Sequence, residues 1–183
     1  KLDFLKYEGP TDPTITGSFG NILTYKNLKL NVFVTYSFGN VIRLDPVFSN
    51  AYSDLDAMPK EFKNRWMKAG DENVTNIPTI VSTRMNQQYA YLNMAYNAYN
   101  YSDVRIADGG FIRLKEISLS YDLPAKVINF FRLNKLQLKL QATNLCLLYA
   151  DSKLNGQDPE FFRSGGVSTP VPKQFTFTVR LGL

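Results

Sequence analysis

Apolar and polar residues alternate with a period of two along five stretches of the chain. The sharpest is "LQLKLQATNL", where Leu136, Leu138, Leu140 and Ala142 oppose Gln137, Lys139, Gln141 and Thr143. "KQFTFTVRLGL" sets Phe175, Phe177, Val179, Leu181 and Leu183 against Thr176, Thr178, Arg180 and Gly182. "LKLNVFVTYSFG" repeats the pattern, with Phe33 the one apolar residue on its polar face. A period of two places alternate side chains on opposite faces of an extended strand. "GFIRLKEISLSYDLP" carries Ile117, Leu119 and Tyr121 in one phase, but Ile112 and Leu114 in the other, so a bulge or a change of surroundings is expected near Lys115. "ITGSFGNILTYK" is a strand with Gly17 and Gly20 inside it, where a wall is expected to bend or bulge. Strands are therefore expected at about 15–26, 28–38, 111–121, 136–149 and 173–183.

The connections alternate in size. A tight turn at Asn27 and a short amphipathic link, "AKVINFFRLNK", serve one end; long segments at about 39–110 and 151–172 serve the other. Loops of that length need a function, because most connections run about 4–6 residues. Within the first, Phe62, Trp66 and Met67 lie at helical spacing between Pro59 and Gly70, which predicts a short helix. Further on, Tyr89, Tyr91, Tyr96, Tyr99 and Tyr101 stand among Asn and Gln, a composition suited to stacking on sugar rings, to docking a lid or to packing within the loop. For Trp66, packing is favoured over ligand contact.

Strands with one apolar face also build soluble sandwiches. Two features favour lipid over a second sheet. The polar face mixes Gln and Thr with few charges, as a water-filled lumen does. Long links at one end and short ones at the other match a barrel with external loops and periplasmic turns. The expected fold is thus all-β: an antiparallel up-and-down transmembrane β-barrel wall, with the rows at Leu136, Leu138, Leu140, Phe175, Phe177, Val179, Leu181 and Leu183 facing lipid. Five strands leave two unpaired edges, which hydrocarbon does not tolerate, so the chain supplies part of a barrel.

Composition removes other chemistries. The 183 residues contain no histidine and a single cysteine, Cys146, which leaves no imidazole catalysis, His-rich zinc site or internal disulfide. No metal, cofactor or catalytic residue is expected. No run is apolar enough for a membrane helix, and "KLDFLKYEGPTDPT" lacks the apolar core of a secretion leader. A net charge of +5 is dispersed without a basic stripe, against a nucleic-acid partner. The acidic pairs Asp54/Asp56, Asp71/Glu72 and Asp158/Glu160 are each local and are read as solvated loop charge.

Taken in order, "FGNILTYKNLKLNVFVTYSFGNVIR", "RWMKAGDE", "SDVRIADGGFIRLKEISLSYDLP", "LQLKLQATNLCLLY", "NGQDPE" and the final strand resemble the C-terminal end of SusC/RagA-type TonB-dependent outer-membrane transporters of the Bacteroidota. Leu183 stands where the family usually has an aromatic, and Ala69 departs from a commoner Pro-Gly-Asp pattern. The resemblance implies a barrel of about 22 strands with a plugged lumen, of which this chain would supply about the last five. It also implies import of oligosaccharides or peptides across the bacterial outer membrane. The partners implied are TonB, acting through an N-terminal part outside this chain, a SusD-like surface lipoprotein as lid, and the remaining barrel and plug. A soluble β-rich carbohydrate-binding or adhesion module is the alternative.

Overall fold

The computed structural model describes residues 4–47, 59–130, 133–162 and 170–182. Its main element is a five-stranded antiparallel sheet, formed by β1 (Ile15–Tyr25), β2 (Leu28–Phe38), β5 (Phe111–Asp122), β6 (Lys135–Ala150) and β7 (Gln174–Gly182) in that spatial order. Strands adjacent in the sheet follow one another in the meander, so the sheet runs up and down. A second, two-stranded piece pairs β3 (Val41–Arg43) with β4 (Ile106–Asp108).

The register explains the inverted phase seen in the sequence. Val32 lies opposite Ile117 and Phe33 opposite Glu116, but Val34 faces Leu114, so Lys115 is an inserted residue on β5. That insertion brings Leu114 and Ile112 into line with Val34 and Tyr36 and keeps one face apolar across the irregularity. β6 carries a matching irregularity in which Glu116 pairs with Thr143 and Leu114 with Cys146, with Asn144 at a left-handed φ of 53°.

β1 is paired with β2 without a break from Ile15 to Tyr25, so no bulge interrupts the pairing at Gly17 or Gly20. The glycines make room for large cross-strand neighbours instead. A Cβ on Gly17 would overlap the Tyr36 hydroxyl, and one on Gly20 would lie 3.2 Å from the Phe33 ring. Phe33, the apolar exception on the polar face, therefore covers a glycine.

The core lies away from the sheet. The buried hydrophobic residues are Ile42, Leu44, Val47, Ile77, Tyr96, Ala107 and Leu154, all in the connections at one end. Ile42, Leu44, Ala107 and Leu154 form one cluster, with Ala150 and Phe162 packed against it. The β3–β4 pair is thus the seam that joins the two ends of the long segment, a strand pair inside what the sequence presents as loop. The expected helix at 59–72 is replaced by two 3₁₀ turns, Lys60–Asn64 and Asp71–Asn73. Between them the backbone extends so that Trp66 donates its N–H to Ile77 O at 3.1 Å and its indole N–H to Thr75 O. Two α-helices, α1 (Thr83–Gln88) and α2 (Leu92–Tyr101), follow in the same segment, and α3 (Ala125–Phe130) sits in the link between β5 and β6.

Candidate functional site

The polar face of the sheet is continuous in register. Asn31, Ser118, Gln141 and Thr176 form one cross-strand row; Lys29, Ser120, Lys139 and Thr178 form the next; Asp122, Gln137 and Arg180 form a third. Side-chain hydrogen bonds tie neighbours along this wall, such as Asn31 Nδ2 to Glu116 Oε1 at 3.2 Å and Gln137 Nε2 to Asp122 Oδ1 at 3.0 Å. Hydroxyls and amides that both donate and accept make a wetted surface which tolerates many polar solutes.

The opposite face carries Leu28, Tyr121, Leu138 and Val179 in one row, Leu30, Leu119, Leu140 and Phe177 in the next, and Val32, Ile117, Ala142 and Phe175 in a third. Phe175 is 76% exposed, Leu181 63% and Leu140 58%. Leu136, Leu138, Phe177 and Val179 share this face, and Leu183 lies outside the described residues. Among the described residues no second layer covers it. The total accessible surface of 13336 Å² compares with about 9,000 Å² for a compact monomer of this mass. Aromatics stand at both ends of the band: Tyr25 and Tyr121 by the short turns, and Tyr36, Phe38 and Tyr149 by the long loops, with ring centroids 6.0 and 6.3 Å apart along the latter three. That distribution is the girdle pattern of a lipid-embedded wall.

Above the polar face the long connections form a cap held by two arginines. Arg113, from the polar phase of β5, reaches Asp158 of the "NGQDPE" stretch, with Nη2 2.5 and 2.6 Å from the two carboxylate oxygens. Their side chains are 6% and 7% exposed. Asp158 is thus a buried partner, not the solvated loop charge expected from sequence; its neighbour Glu160 lies 3.2 Å from the same guanidinium and is half exposed. Arg105 donates to Asp45 O at 2.6 Å and to Glu61 Oε1 at 2.7 Å, with the Tyr99 ring 5.7 Å away. Burial alone lowers the Arg105 pKa, yet Glu61 and Tyr99 together outweigh it and the net shift is upward. Asp71 stays local, accepting from Met67 N and Lys68 N, while Asp54 and Asp56 lie outside the described residues.

The tyrosine cluster divides. Tyr96 is buried and donates its hydroxyl to Thr79 O, and Tyr99 is half-buried beside Arg105; burial raises the pKa of both phenols, against the opposing pull of Arg105 at Tyr99. Tyr89, Tyr91 and Tyr101 are exposed, the first two with rings 5.8 Å apart. Trp66 serves the loop backbone. Beside the cap, a cavity of about 470 Å³ is lined by hydroxyls of Thr16, Thr35 and Ser37, by Phe111, and by Lys115 and Glu160. Arg113 is the residue that sequence reasoning passed over, and its signal was a charge in the polar phase of an otherwise apolar stretch. Among the described residues no helix is long and apolar enough to cross a membrane, which says nothing of crossing by strands.

No protein-family model matches the chain. It is 27% identical over 155 residues to TonB-dependent receptor P3 of Formosa agariphila, covering 85% of this chain and 14% of that protein. TonB-dependent receptor P26 of the same organism is 26% identical, covering 93% of this chain and 17% of its own length. The chain therefore spans about a sixth of the curated relatives it matches. Among solved structures, the RagAB peptide importer in the open-open state superposes with a TM-score of 0.65 at 21% identity over 97% of this chain and 18% of that one. Its closed-closed state gives 0.64 at 22% identity. The SusC/RagA resemblance read from the sequence fits both comparisons, and the two-faced sheet with its one-ended loops has the fold of a stretch of the barrel in the RagAB structures.

Proposed function

We propose that the chain is part of an outer-membrane active transporter that imports oligosaccharides or peptides into the periplasm. Energy would come from TonB through a part of the polypeptide outside this chain, and a SusD-like surface lipoprotein would close the mouth. The carrying observation is the uncovered apolar face backed, row by row, by a polar one. Such a sheet is stable with hydrocarbon on one side and water on the other. The rows at Leu136, Leu138, Leu140, Phe175, Phe177, Val179 and Leu181 are then the lipid-facing set. Exposed Tyr89, Tyr91 and Tyr101 supply ring faces and hydroxyls for a sugar or for the lid, and their position on the cap supports that role. The relatives and structural neighbours bear the names of receptors and importers, in line with a non-enzymatic task, and RagAB is named a peptide importer.

The test is uptake in the native host. Deleting the full-length gene is expected to abolish growth on one class of oligosaccharide or peptide, and the membrane-extracted receptor is expected to run as a heat-modifiable band. A full-length receptor that is recovered in the soluble fraction, with no heat-modifiable form, would overturn the proposal.

A further inference from the structure

The two links at the short-turn end differ in a way that strand connection alone does not require. β1 and β2 are joined through Lys26 and Asn27, whereas β5 and β6, equally adjacent and antiparallel, are joined by residues 123–134 with α3 inside. The longer link is anchored to the rim of the sheet. Leu123 N donates to Leu136 O at 3.0 Å, Leu133 N to Ile128 O at 3.1 Å, and Asn134 N to Gly182 O at 2.8 Å. Within it Val127 and Ile128 are half-buried and Phe130 is 81% exposed. Water is a poor solvent for an exposed phenyl ring on a fixed segment. The link also begins beside the last apolar pair of the sheet, Leu136–Leu181, through the bond from Leu123 N to Leu136 O, so its apolar residues lie at the end of the apolar band.

The charge pattern points the same way. Between Asp122 and Asp151 the sequence has no acidic residue, and the described charged side chains of the link and of its junction with β6, Lys126 and Lys135, are cationic and exposed. Apolar side chains beside lysines that reach toward phosphates are the composition of a segment lying at a membrane interface.

We infer that α3 and its flanks form an interfacial anchor, with Phe130 set in the headgroup-acyl boundary of the leaflet on the short-turn side and Lys126 and Lys135 against phospholipid phosphates. This rests on the transporter-barrel reading. It assigns the link a partner, a phospholipid surface, and a task, fixing the depth of the β5–β6 hairpin in the bilayer.

The test uses the full-length receptor in vesicles of phosphatidylethanolamine and phosphatidylglycerol that contain phospholipids brominated either close to the headgroup or deep in the chain. Phe130→Trp and Phe177→Trp are compared with the parent, after a heat-modifiable gel shift has shown that both fold. The added indole emission of Phe130→Trp is expected to be lost chiefly to shallow bromines, and that of Phe177→Trp chiefly to deep ones. Quenching at position 177 with none at 130 overturns the anchor and leaves the barrel standing. Absence of quenching at both positions removes the barrel reading and the anchor with it.

Discussion

Replacing Asp158 with Asn tests whether the cap is held by the buried ion pair. The substitution keeps the shape of the side chain and removes the charge that faces Arg113, whose guanidinium is almost wholly enclosed. At an effective dielectric of about 20, two unit charges 4 Å apart attract by about 4 kcal/mol, and breaking a buried pair by removing one partner costs about 3–5 kcal/mol. Glu160 cannot replace the lost charge, since it is half exposed and such pairs contribute about 0–1 kcal/mol. The sheet stays paired, so the cost falls on local opening of the segment around 151–162. The opened population should rise roughly a hundred- to several-thousand-fold, because each 1.4 kcal/mol is about a factor of ten. Hydrogen exchange on the full-length receptor in detergent reads this directly as lost protection at Phe161 and Gln157, whose amides bond to Asp158 O and Leu154 O. Glu160→Gln should change little, and the double variant Arg113→Met, Asp158→Leu should recover much of the protection because neither charge is then stranded. Unchanged exchange in Asp158→Asn, or a double variant worse than the single, would refute the reasoning.

Further expectations concern the wall, the cap and its tyrosines. Leu140→Lys, on the exposed apolar face, should cost about 2–4 kcal/mol in refolding into lipid, whereas Gln141→Lys one residue along should stay within about 0.5 kcal/mol; equal costs would contradict the assignment of faces. Gly109→Ala drives a Cβ into the Asn40 amide nitrogen and should lower the temperature at which the heat-modifiable band converts, with Asn40→Ala in the same chain restoring it. Burial raises the Tyr96 and Tyr99 pKa values above the ordinary 10 or so. A raised acid of this kind contributes stability that is complete below its unfolded pKa and is lost as pH rises through the folded value. Difference titrations at the phenolate absorption band, receptor minus Tyr96→Phe or Tyr99→Phe, should therefore show late ionisation together with loss of hydrogen-exchange protection in α2. In the link between Lys6 and Asp103, the hydrogen bond from Lys6 holds the Asp103 carboxyl below its usual range, so that contact should persist above about pH 4 and weaken as pH falls through the depressed value, readable by carboxyl carbon shifts.

The strands were legible because alternation is a local property: each of the five can be read from its own residues. The inserted residue on β5 was legible too, as the inverted phase of Ile112 and Leu114. β3 and β4 were not, since three residues carry no period and their pairing depends on a contact between positions about sixty apart. The helix expected at 59–72 failed because Phe62 and Trp66 satisfied a spacing rule while the backbone partners of Trp66, Thr75 and Ile77, lay beyond the window. Arg113 and Asp158 belong to separate stretches, so neither shows by itself that it is paired, and Asp158 looked like ordinary loop charge until the fold brought them together. Tyr96 and Tyr101 have the same chemistry and opposite exposure, decided by which side of α2 meets the loop core.

Between the facing pairs Phe33–Glu116–Thr143 and Thr35–Arg113–Leu147, β2 has one residue, β5 two and β6 three. Each added residue lengthens the path by up to about 3.3 Å. Going from β2 to β6, the loop end of the sheet is therefore let out like cloth cut on the bias. Deleting Lys115 would take out that fullness on the β2 side and still leave Leu114 opposite Val34, whereas a second residue inserted beside it would turn Leu114 to the polar face.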